Sequence, residues 1–77
     1  MLFLIEYNRE KGEIVSMRKF SDSEKNEAES ARLQLELDRQ RIGLKNEIVI
    51  LDAINEASVR RTHRRYFESL EELAKAL

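Results

Sequence analysis

The sequence predicts a small α+β domain, a two-layer sandwich built in the order ββαβα. A three-stranded mixed sheet is covered by helices on one face. Three observations carry this reading. Two β-prone segments flank a short Gly-containing turn. An unbroken run of good helix formers lies between a capping box and a glycine. A second apolar β-prone run, Ile48 to Leu51, follows it. A chain of 77 residues is expected to form one domain, spanning 1–77.

The hairpin comes first. Leu2-Phe3-Leu4-Ile5, extended by Tyr7, is apolar at consecutive positions, so strand 1 (2–8) is expected to be buried on both faces. Asn8 to Gly12 gives a turn, with Gly12 supplying positive φ. Strand 2 (13–20) mixes Ile14, Val15, Met17 and Phe20 with Ser16, Arg18 and Lys19, which suits an edge.

Ser21 with Glu24 forms a capping box, and Asp22 and Glu24 suit the positive end of the helix dipole. The helix runs to Ile42. Gly43 stands where a left-handed C′ residue ends it, with Leu44 as the partner of a Schellman motif. Asn46 to Ala53 is a third strand that reads as a central one. Asn55 caps a second helix, from Glu56 to about Phe67. Ser69 with Glu72 forms another capping box before a helix from Leu70, so the last helix is split near Glu68-Ser69. The crossover from strand 2 to strand 3 makes those strands parallel. The more apolar strand 1 favours the sheet order 2-1-3.

Composition excludes several functions. Without Cys there is no thiolate catalyst, disulfide framework or cysteine-ligated zinc. Fourteen basic and 15 acidic residues give a net charge of -1, which argues against a wholly nucleic-acid-binding surface. Met1 to Ile5 and Ile48 to Leu51 are far shorter than the ~20 residues of a membrane span, and Met1 to Ile5 is too short for a signal core. The expectation is a cytoplasmic protein without membrane contact.

The first helix has two apolar sides. Ala28, Ala31, Leu35 and Ile42 share a ~60° sector. Leu33 and Leu37, with Leu44 beyond the helix, lie nearly opposite. One stripe covers the sheet. The other needs the C-terminal segment with Leu70, Leu73, Ala74 and Leu77, a second copy of the chain, or another protein. Leu33, Leu37 and Leu44 are therefore the candidate self-association residues.

Arg60, Arg61, Arg64 and Arg65 form one face of the second helix, with Val59, His63 and Tyr66 on another. Guanidinium forks suit phosphate and carboxylate, and Tyr66 and Phe67 beside them could stack on bases. Arg60, Arg61, Arg64, Arg65 and Tyr66 are the candidate anion- or partner-binding set. The more economical reading is a solvated or ion-paired face, given Glu56, Glu68, Glu71 and Glu72 nearby. His63, the only histidine, is expected to be half-buried.

Glu6 and Asp52 end up on neighbouring strands, an arrangement superficially like the metal-binding carboxylates of ribonuclease H-like folds. Those folds place three strands before the first helix, and only two stand here. Glu6 is instead expected to face solvent opposite Arg18 or Lys19, and Asp52 to close a turn. Gly12 and Gly43 have turn and cap roles, which leaves no Gly-rich phosphate loop. A chain this small also has little room for a pocket of about 300 Å3. No catalytic residue, metal, cofactor or small-molecule substrate is expected. The sequence points to a non-catalytic interaction module, self-associating or bound to another protein. The alternative is a nucleic-acid-binding module using the Arg60–Arg65 face.

Overall fold

The computed structural model describes residues 1–67. Strands β1 (Leu2–Asn8) and β2 (Glu13–Phe20) form the hairpin, and their bounds match the sequence reading. The Gly12 amide donates to the Asn8 carbonyl at 2.8 Å, and Gly12 takes φ 66°. That left-handed backbone is open to glycine at little steric cost.

A 3-10 turn at Asp22–Glu24 leads into helix α1 (Lys25–Arg41). The capping box is formed at that turn, with the Ser21 amide donating to the Glu24 carboxylate at 2.8 Å. At the other end Gly43 has φ 77°, and its amide donates to the Gln40 carbonyl at 3.2 Å. The Leu44 amide donates to the Arg39 carbonyl at 2.9 Å. These two bonds define the Schellman motif.

Strand β3 (Glu47–Asp52) follows, then helices α2 (Glu56–Thr62) and α3 (Arg64–Phe67). The Asn55 side chain accepts from the Ser58 amide at 2.8 Å and caps α2. Asn55→Ala should cost about 1 kcal/mol. Urea denaturation of the purified variant checks this, and a change within error would show that α2 does not depend on its cap.

The sheet order is β2-β1-β3, as favoured. Both neighbouring pairs are antiparallel, so the sheet is not mixed. Strands β2 and β3 do run in the same direction, as the crossover required, but β1 lies between them. Strand β3 is therefore an edge rather than a central strand, and Ile48 to Leu51 are only half-buried.

Helices cover both faces of the sheet, not one. Phe3, Ile5 and Tyr7 pack with Val59 and Tyr66 on the α2–α3 side. Leu4 packs with Phe20 and Ala28 on the α1 side, joined by Leu2, Ala31, Ile48 and Ile50. Successive strand residues face opposite sides. The consecutive apolar residues of β1 thus demand cover on both, and one helical layer leaves half of them wet.

Two details of the helices also differ. The segment predicted as one helix to Phe67 breaks at His63, which has φ -124° and ψ 52°. Thr62 and His63 are weak helix formers, and the Thr62 hydroxyl donates to the Ser58 carbonyl at 2.9 Å. The break reorients α3 so that Tyr66 reaches the Tyr7 ring, 5.0 Å away and edge-on. Ile42 does not join the packed stripe. It caps α1 and is 64% exposed, because the Schellman turn carries the chain away from the sheet. The split near Glu68-Ser69, the Ser69–Glu72 box and the segment from Leu70 to Leu77 lie outside the described residues.

Candidate functional site

The most specific polar arrangement sits at the C-terminal half of α1. Glu6 is in the middle of β1 with its side chain only 1% exposed. The expectation that it faces solvent opposite Arg18 or Lys19 is overturned. Ser16, not a cation, is its strand partner on β2, and the α1 side of the sheet is covered there. A buried carboxylate must be paired. Arg39 grips it with Nε at 2.6 Å and a second guanidinium nitrogen at 2.9 Å, and the Asn46 amide donates at 2.8 Å. The Arg39 hydrogen bond is the main reason the Glu6 carboxyl is held below its ordinary range. Burial opposes this, and Asn46 adds to it. Glu6 lies opposite Ile48 on β3, whereas Asp52 lies opposite Leu2 at the far end. The two carboxylates considered for a metal therefore do not meet. Among the described residues no group of three or more His, Cys, Asp or Glu converges.

Beside this network runs an open groove of about 390 Å3, larger than the chain length suggested. Glu36, Arg39 and Gln40 of α1 form one wall and Ile48 of β3 the other. The opposite flank of α1, with Gln34, Leu35 and Asp38, faces Ser16 and Arg18 of β2 across a smaller groove of about 240 Å3.

The second apolar stripe of α1 is where the helical wheel placed it. Leu44, 48% exposed, lies beyond the helix and lines the groove with Ile48, whereas Leu33 and Leu37 are 56% and 46% exposed on the side of α1 away from the sheet. No described element covers them.

The arginine set does not form one free cationic face, because the break at His63 divides it between α2 and α3. Arg60 lies over the Phe67 ring at 4.7 Å and near Glu56 at 3.9 Å. Arg65 donates to Glu47 at 3.0 Å and to the Tyr66 hydroxyl at 2.6 Å. Arg61 and Arg64 are exposed. Tyr66 is buried and its hydroxyl donates to Glu47 at 3.0 Å, so its ring has no free face for a base. Burial pushes the Tyr66 hydroxyl up in pKa. Burial also works against the charged form of Glu47, but hydrogen bonds from Tyr66 and Arg9 and the charges of Arg65 and Arg9 outweigh it and hold the carboxyl low. His63 is half-buried, 6.4 Å from the Tyr66 ring.

Sequence reasoning placed Glu6 at the surface and missed Arg39, Asn46 and Glu47 as polar partners. Among the described residues no helix is long and apolar enough to cross a membrane. Compared with protein-family models, curated proteins and solved structures, the chain matches none.

Proposed function

We propose that this chain is a small non-catalytic interaction module that works by self-association in the cytoplasm. The observation that supports this is the outward pair Leu33 and Leu37 of α1, 56% and 46% exposed, with Leu44 also exposed beyond the helix end. Contiguous exposed apolar surface on a small domain marks an interaction site. A second copy is the favoured partner because a small domain leaves much of its surface unburied and gains stability from pairing. Arg60 and Arg65 are engaged with rings and carboxylates of the same chain, which weakens the phosphate-binding alternative.

Sedimentation of the purified chain at rising concentration tests the reading. The expected result is a dimer at about 100 μM, a weak affinity suited to a small interface. Leu33→Glu combined with Leu37→Glu should give a folded monomer with an unchanged far-UV circular dichroism spectrum. A wild-type chain that stays monomeric throughout defeats the proposal.

A further inference from the structure

The two edges of the sheet are unlike each other. Strand β2 is protected by devices that discourage pairing. Its register to β1 skips a residue between Ser16 and Ile14, which leaves Val15 as the extra residue of a bulge, and it carries Arg18 and Lys19. Bulges and basic side chains are what natural sheets use to block edge-to-edge contact. Strand β3 has neither. Glu47-Ile48-Val49-Ile50-Leu51-Asp52 contains no Lys, Arg, Pro or Gly, and its register to β1 runs unbroken from Glu47 to Asp52. No described strand lies beyond it.

The orientation of its free hydrogen-bonding groups follows from the ladder. The Ala53 amide donates to the Met1 carbonyl at 3.0 Å. Antiparallel pairing alternates, so the backbone groups of Leu51, Val49 and Glu47 also turn toward β1. Those of Ile48, Ile50 and Asp52 turn outward. They form a straight, apolar template for another strand.

We infer that the β3 edges of two copies pair antiparallel about a two-fold axis at Ile50, joining two sheets into one of six strands. This rests on the self-association reading above, but places the contact at the β3 edge and the Arg32–Glu36 flank of α1 in place of the Leu33–Leu37 stripe. Outward-facing residues pair only with outward-facing residues, so Ile50 lies opposite Ile50 of the second copy and Ile48 opposite Asp52. Neither acidic end meets an acidic residue. Strands in a sheet lie about 4.8 Å apart. Helix α1 packs against all three strands and most extensively against β3. The two-fold places both α1 helices on the same face of the joined sheet, flank toward flank.

The charges on the meeting flanks agree. Lys25, Glu29, Arg32 and Glu36 follow one flank of α1, the one bordering the groove with Ile48. Arg32 already pairs with Glu29 at 2.7 Å and Glu36 at 3.5 Å, so the row is regular in sign. A row of alternating sign is complementary to itself when reversed. The axis also falls at the right place. Arg39 stands over Glu6, whose β3 partner is Ile48. Two strand residues further on, Ile50 is level with a helix position about four residues before Arg39, by the rise of each element. That position lies between Arg32 and Glu36, so Arg32 of each copy faces Glu36 of the other.

Amide hydrogen exchange read by NMR tests this directly. Between about 10 μM and about 500 μM the amides of Ile48, Ile50 and Asp52 should slow at least tenfold, while those of Val49 and Leu51, already bonded to β1, change less. Arg32→Glu should weaken the dimer about tenfold in sedimentation, and adding Glu36→Arg should restore it. A dimer whose three outward amides stay fast overturns the edge pairing and leaves self-association through the Leu33–Leu37 stripe. A dimer indifferent to Arg32→Glu also overturns it. A chain that is monomeric at every concentration removes both readings.

Discussion

Arg39→Ala is expected to lower the stability of the fold by about 3–5 kcal/mol at neutral pH, the usual result of orphaning a buried charge. A chain of this length has only about 4–11 kcal/mol to lose. The variant should therefore be partly unfolded at room temperature or melt far below the wild type. The loss comes mainly from Glu6, which keeps its burial and its Asn46 bond but loses both guanidinium donors. Replacing both partners, with Glu6→Leu and Arg39→Met, should recover much of the stability, because an apolar pair needs no counter-charge.

The pH dependence has a definite sign. The folded carboxyl of Glu6 is held below its ordinary value, so its contribution is full above the unfolded value of about 4.3 and fades as pH falls through the lower folded value. Without Arg39 the favourable hydrogen bond is gone and burial favours the neutral acid. The gap between wild type and Arg39→Ala should then narrow below about pH 4. Urea denaturation at pH 7 and in acid checks both points. A gap under about 1 kcal/mol at pH 7 would mean the pair is effectively solvated.

Phe3→Ala and Leu4→Ala should each be severely destabilising, by about 3–5 and about 2–5 kcal/mol respectively. Phe3 is fully buried on the α2–α3 side and Leu4 is 3% exposed on the α1 side. The two are adjacent in sequence and belong to different cores. A sheet covered on one face tolerates truncation on its wet side almost freely. Comparable losses from both variants, measured by chemical denaturation, are the energetic signature of a doubly covered strand. A near-neutral Leu4→Ala or Phe3→Ala would restore the two-layer reading.

The hairpin, the bounds of α1 and the caps were legible because each rests on local chemistry. Ser21 and Glu24, Asn8 and Gly12, Gly43 and Leu44, and Asn55 act within a few residues of themselves. The burial of β1 on both faces was legible too, in its consecutive apolar residues, but the layers were read as two because the placement of the helices is tertiary. Glu6 shows the same limit. A lone carboxylate between Ile5 and Tyr7, in a strand buried on both faces, has to be paired. Its partner Arg39 continues the Ala28–Ala31–Leu35 sector of α1, which is the signal that could have found it. The distance in sequence between Glu6 and Arg39 hides the pairing from any local pattern. The arginine cluster misled for the opposite reason. A helical wheel assumes one unbroken helix, and the break at His63 removes that premise.

The central position of β1 also bears on how the chain is made. Its hairpin partner β2 is synthesised directly after it, but β3, which closes its other side, follows about 30 residues later. At ~5–20 residues per second, about 2–6 s separate the two events on the ribosome. During that interval a finished hairpin carries one raw apolar border, and Phe3, Leu4 and Ile5 have no complete shelter. An exposed apolar border on a part-made chain is the kind of surface that aggregates, and β3 is the element that closes it.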